Sequence, residues 1–121
     1  MASILVIEDG MEIRQLVRDV LEREGHEVRE ALNGEEGVKS FEEARADLVI
    51  TDLFMPRKGG IETIADLQEI DADVRIIAMT SHGGAENYDF LRVAQALGAK
   101  TLEKPFMIDA LRKVVEEALS G

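Results

Sequence analysis

The sequence predicts an α/β fold: an open, doubly wound parallel sheet with helices on both faces. Three observations carry this. Short apolar runs alternate five times with segments in which apolar residues recur at helical spacing. Several of those runs are apolar almost throughout, and a strand of that kind needs cover on both faces. Five strand–helix units are also too few to close an eight-stranded barrel, so the sheet stays open, with right-handed crossovers laying each helix against it.

In chain order, the strands are read at residues 3–8 (SILVIE), 26–31 (HEVREA), 47–52 (DLVITD), 74–80 (VRIIAMT) and 99–103 (AKTLE). The first helix follows from Ile13, Leu16, Val17, Val20 and Leu21, read as a core-facing stripe. Asn33 with Glu36 forms a capping pair that opens the second helix. Ile61, Ile64 and Ala65 mark the third, and Leu111, Val114, Val115, Ala118 and Leu119 the fifth. A fourth helix spans roughly 85–97, after the polar stretch SHGGAENYD. Gly25 and Gly98 stand where a helix closes on a left-handed residue.

Composition narrows the functional classes. A chain of 121 residues, 45% hydrophobic, makes one domain with one sizeable core, read here as residues 1–121 with no output domain after the final EEALSG. The absence of cysteine excludes disulfides, thiolate metal sites and cysteine nucleophiles, and fits a reducing compartment, so a cytoplasmic location is expected. The opening MASILVIEDG has an apolar run too short to span a membrane and no basic segment before it. A formal net charge of -11 opposes binding to nucleic-acid backbones or anionic lipid headgroups. Neither kind of partner is expected for this domain.

The chemistry concentrates at the carboxyl ends of the strands, where open α/β sheets bind their ligands. Glu8 and Asp9 end the first strand, Asp52 the third, Thr80 and Ser81 the fourth, and Lys104 and Pro105 the fifth. Each has an ordinary explanation as a cap, a turn residue or a surface lysine. Together they do not. Carboxylates brought to within ~4 Å of each other repel by about 4 kcal/mol per pair at an effective dielectric of ~20, so cations must balance them. Lys104 is one such charge. A hard divalent cation is the other, since carboxylates, a backbone carbonyl and waters form the oxygen shell that Mg2+ prefers. A carboxylate beside such a cation, with a lysine and a hydroxyl opposite, is arranged for phosphoryl transfer, with Asp52 as nucleophile.

LVIEDG, DLVITDLFMPRKGG, IIAMTS and LEKPF together resemble the receiver domain of bacterial two-component response regulators along the whole chain. The resemblance implies a flavodoxin-like sheet of order 2-1-3-4-5. It implies a Mg2+ site made by Glu8, Asp9, Asp52 and the backbone carbonyl of Phe54, with Asp52 as phosphoacceptor and Thr80 and Lys104 sensing the phosphoryl group. Pro105 is similar to the family's cis-proline. The implied partners are a histidine kinase or histidine phosphotransfer protein and a downstream protein target. Two rivals share parts of this pattern. Acid-nucleophile phosphatases place a second aspartate two residues after the first, where this chain has Phe54. A degenerate receiver would act by binding alone, and the complete set of five residues weighs against it. One position departs from the family: the aromatic residue commonly found three places before the lysine is Thr101. A β-branched threonine has too little bulk and too few rotamers to serve as that switch.

Overall fold

The computed structural model describes residues 1–54, 58–81 and 85–120. Five strands, β1 (Ser3–Ile7), β2 (Glu27–Ala31), β3 (Leu48–Asp52), β4 (Ile76–Ser81) and β5 (Lys100–Lys104), alternate with five helices: α1 (Met11–Arg23), α2 (Gly34–Glu43), α3 (Gly60–Ile70), α4 (Ala85–Ala96) and α5 (Ile108–Ser120). The strands form one parallel sheet in the order β2-β1-β3-β4-β5. Residues 82–84, within the stretch read as a polar loop, lie outside the described residues.

Period-two alternation divides the core into two layers. Ile4, Val6, Leu48, Ile50, Ile77 and Met79 face α1 and α5, where they meet Val17, Leu21, Leu111 and Val115. Their neighbours Leu5, Ile7, Val49, Ile76 and Ala78 face the other way, onto Phe41 of α2, Ile64 and Leu67 of α3 and Ala94 of α4. Every residue of β3 is buried. That burial explains why the run reads as continuously apolar. The edge strand β2, exposed at Glu27 and half-buried at Arg29 and Glu30, carries polar residues on both faces.

Two helix positions assigned to the core are not in it. Leu16 is exposed, and so is Ala65. The buried arc of α1 is centred on Val17, Val20 and Leu21, while that of α3 runs through Gly60, Thr63, Ile64 and Leu67. Each misassigned residue lies one step, about 100°, from a buried neighbour, far enough on a helix of 3.6 residues per turn to leave the packed arc.

Local signals set the element ends. Asn33 Oδ1 accepts from the Glu36 amide at 2.9 Å, and the Glu36 carboxylate accepts from the Leu32 amide at 3.2 Å, so the α2 capping pair closes one residue further back than the usual box. Gly25 and Gly98 follow α1 and α4 with φ of 91° and 98°, a region that costs residues with a Cβ. None of the helices among the described residues is long and apolar enough to cross a membrane.

The start of α3 fixes how the chain leaves the central strand. The Gly60 amide donates to the Leu53 carbonyl at 3.1 Å. A Cβ on Gly60 would lie 2.5 Å from Leu53 Cα and 2.6 Å from the Asp52 carbonyl oxygen. The helix therefore docks directly on the backbone at the end of β3. Gly60→Ala is expected to destabilise the protein by about 1–3 kcal/mol, the cost of overpacking against unyielding backbone. Urea unfolding measures this, and a midpoint equal to that of the parent would refute the contact.

Candidate functional site

The carboxyl ends of β1, β3, β4 and β5 lie side by side, and each delivers one polar residue. Glu8 directly follows β1 and remains tied to the sheet through its amide, which donates to the Ala31 carbonyl at 3.0 Å. Its side chain is buried at 2% exposure, and Oε2 accepts from the Gly10 amide at 2.9 Å. Asp9, the next residue, is exposed. Asp52 is the last residue of β3, 5% exposed, and Thr80 is buried at the penultimate position of β4. Lys104 ends β5, and its bond to Pro105 is cis.

The side chains of Glu8, Asp9, Asp52 and Lys104 converge. Lys104 Nζ lies 2.6 Å from Glu8 Oε1 and 3.5 Å from Asp52 Oδ2. Carboxylate oxygens of Glu8, Asp9 and Asp52 all fall within 4.8 Å of one another. Burial raises the pKa of Glu8; the Lys104 and Gly10 hydrogen bonds oppose it, while the Asp52 charge adds to it. Burial likewise raises Asp52 against the pull of Lys104 and the Phe54 amide. For Lys104 burial pulls downward, but the bond to Glu8 and the field of Asp52 outweigh it and hold the ammonium above its ordinary value. One lysine thus offsets part of three carboxylates.

The oxygen donors fit a hard divalent cation. Among the described residues Asp52 Oδ1 is buried without a hydrogen-bond partner, although burying such an atom unpaired costs about 1–3 kcal/mol. Three carboxylates in reach of one point, with neither nitrogen nor sulfur ligands among them, match the preferences of Mg2+ rather than those of zinc or copper.

Phe54 stands two residues past Asp52. Its partly exposed ring meets Phe90 of α4 edge-to-face, with centroids 5.2 Å apart and planes at 89°. The two rings, with Leu53 and Ile61, line a shallow apolar recess beside the acidic cluster. Thr101 lies further back on β5, where its Oγ1 accepts from Gln95 Nε2 of α4 at 3.4 Å. It is not among the residues gathered around Asp52.

Sequence reasoning did not find Arg14 or Glu30. Arg14 Nη1 donates to the Glu8 carbonyl at 3.0 Å and to the Asp9 carbonyl at 3.5 Å. Its Nε donates to Glu30 Oε1 at 2.7 Å, and Arg18 pairs with the other oxygen of Glu30. Burial alone would raise Glu30, but the hydrogen bonds from Arg18 and Arg14 prevail and lower it. The three residues sit on α1 and β2, and nothing in their spacing announces that they meet. The aromatic pair was equally silent, because Phe54 and Phe90 are brought together only by the packing of α4.

Comparison with known proteins agrees with this geometry. The family profile of the response regulator receiver domain matches residues 4–116. Sporulation initiation phosphotransferase F of Bacillus subtilis is 35% identical over 97% of this chain and 93% of its own. The chemotaxis protein CheY of Halobacterium salinarum is 37% identical over 93% of this chain and 96% of its own. A response regulator receiver domain protein from Clostridium thermocellum superposes with a TM-score of 0.90 at 32% identity, covering 99% of this chain and 95% of that one. The chain belongs to the receiver-domain family of two-component response regulators, signalling modules rather than turnover enzymes.

Proposed function

We propose that residues 1–121 act as one receiver domain in which Asp52 accepts a phosphoryl group from the phosphohistidine of a histidine kinase or histidine phosphotransfer protein. The observation that carries this is the buried Asp52 carboxylate, with one oxygen near Lys104 and the other unpartnered among the described residues, beside Glu8 and Asp9. A lone pair of Asp52 forms the new P–O bond as the P–N bond of the donor breaks and its electron pair returns to the imidazole. Asp52 has the burial and the fixed backbone needed to present one oxygen in line. Lys104 and the Thr80 hydroxyl would hydrogen-bond phosphoryl oxygens and register the product. Glu8, Asp9, Asp52 and the Phe54 carbonyl would hold Mg2+, which when bound supplies positive charge to the oxygens of the transferring group. The same arrangement supports labelling by small phosphodonors and slow self-hydrolysis without a partner enzyme.

The module is read as acting through protein contacts, because a net charge of -11 disfavours anionic partners, and as cytoplasmic, because a chain without cysteine fits a reducing compartment. Its readout is read as differing from that of receivers with an aromatic residue near the end of β5. Thr101 is bonded to Gln95 and lacks the bulk to fill space behind a moved Thr80. Phe54, by contrast, touches α4 directly through Phe90. A change in backbone beside Asp52 then reaches α4 without passing through β5. A ligand shifts such an equilibrium only by its differential affinity for the two states, so the shift depends on the bonds made at Asp52, Thr80 and Lys104.

Asp52→Asn should abolish acid-labile labelling by acetyl phosphate. The same variant in metal-free buffer is expected to be more stable than the parent by roughly 1–3 kcal/mol, because it removes a charge from the buried cluster and adds a donor. That sign agrees with the raised Asp52 pKa: the folded protein holds the proton more tightly, so the contribution to stability is lost as pH rises through the raised value. Labelling equal to that of the parent would refute the assignment, and the thermal melt separates lost chemistry from lost fold.

Magnesium at a hundredfold excess over its Kd should stabilise the parent by about 2.7 kcal/mol, and Asp9→Ala should remove most of that gain. A Tm indifferent to magnesium would count against the metal site. With beryllofluoride as a phosphoryl mimic, backbone amide shifts should be larger across residues 80–90 than across 99–115. Shifts of equal size in both segments would show that Thr101 lies on the output path after all.

A further inference from the structure

The side chain of Arg14 is 12% exposed, and among the described residues its hydrogen bonds and ion pairs reach Glu30 and backbone carbonyls rather than the carboxylates proposed to hold the metal. Its contacts are with their backbone. Nη1 is bonded to the carbonyl of Glu8 and reaches that of Asp9, while Nε is bonded to Glu30 on β2. Glu30 is held in turn by Arg18, one helical turn after Arg14, and Arg18 also pairs with Glu22 at 3.1 Å. The segment bearing the two acids is therefore tied on one side to the sheet, through the Glu8 amide and Ala31, and on the other to a guanidinium that is itself anchored to the edge strand. Two nitrogens of one planar group serve the two anchors, which a point-charge ammonium could not reproduce.

We infer that Arg14 is a positioning residue for the cation site: it fixes the backbone of Glu8 and Asp9 so that their carboxylates face Asp52, and Glu30 fixes Arg14. The inference rests on the proposed function, since it concerns the affinity of that site for a divalent cation. It also has a sign that electrostatics alone would reverse. A guanidinium near three carboxylates repels an incoming cation, so if Arg14 acted only through its field, removing it would tighten Mg2+ binding. As a positioning residue its removal weakens binding, because the ligand atoms must then be ordered at the moment the ion arrives.

Calorimetric titration of the full chain with MgCl2, well below the melting temperature, decides between these. Arg14→Met should raise the Kd about tenfold, Arg14→Lys should fail to restore it fully despite keeping the charge, and Glu30→Gln should raise it by a smaller factor while leaving Arg14 in place. Backbone amide shifts at residues 8–10 should move in the metal-free variants. A merely structural role would lower the Tm and leave the Kd of the folded protein where it was. An unchanged or tighter Kd in a folded Arg14→Met overturns the inference and leaves the function standing. If that variant does not fold, Glu30→Gln with a Kd equal to the parent's overturns it. A parent chain that binds no magnesium refutes both readings together.

Discussion

Three carboxylates crowd one edge of a parallel sheet with a single lysine among them, and the surrounding architecture is organised around holding them there. Two of the three are buried, and their ionised forms are disfavoured by that burial. A sequence selected for stability alone would not keep such a cluster, since replacing buried charges by well-packed apolar groups is often neutral or stabilising. It persists because everything around it is over-determined. β3 is buried along its whole length, both core layers grip it, and α3 docks on the backbone as it leaves the sheet. The electrostatic cost is concentrated where function needs it, and the apolar layers offset it.

Lys104 gives the cluster its internal balance. Its strongest contact is with Glu8 rather than with Asp52, at 2.6 Å against 3.5 Å. Asp52 is thus the less compensated of the two buried acids, with an oxygen left over among the described residues. For the nucleophile proposed at Asp52 this is the useful arrangement: a carboxylate that is already fully hydrogen-bonded has fewer lone pairs to offer. The acidic segment is in turn bonded through its backbone to Arg14 and to the sheet, so the carboxylates proposed to hold the cation do not have to hold themselves in position.

The same edge also has an apolar side. Phe54 leaves the site towards Phe90, and the two rings couple the exit of β3 to α4. Thr101 on β5 accepts a long hydrogen bond from Gln95 of that helix. The aromatic pair therefore joins α4 to the exit of β3, and in the proposed function a conformational signal would pass along that contact rather than through β5.

Fold class, element order and most of the site were legible in the chain itself. Strand and helix declare themselves through period two and period 3.6, and the right-handed crossover rule then forces the strand ends together, so Glu8, Asp9, Asp52, Thr80 and Lys104 can be named as neighbours from their positions along the chain. Helix caps are legible for the same reason, as Asn33, Gly25 and Gly98 act on residues a few positions away. Which part of each helix stripe is buried was settled by packing, which left Leu16 and Ala65 outside. Packing also brought Arg14 to Glu30 and to the backbone of the acidic pair, seated Phe54 on Phe90, and divided Lys104 unequally between two carboxylates. These contacts join residues from different elements at distances set by how helices settle on a twisted sheet, and a side chain's reach across such a gap depends on rotamer and packing rather than on any period along the chain.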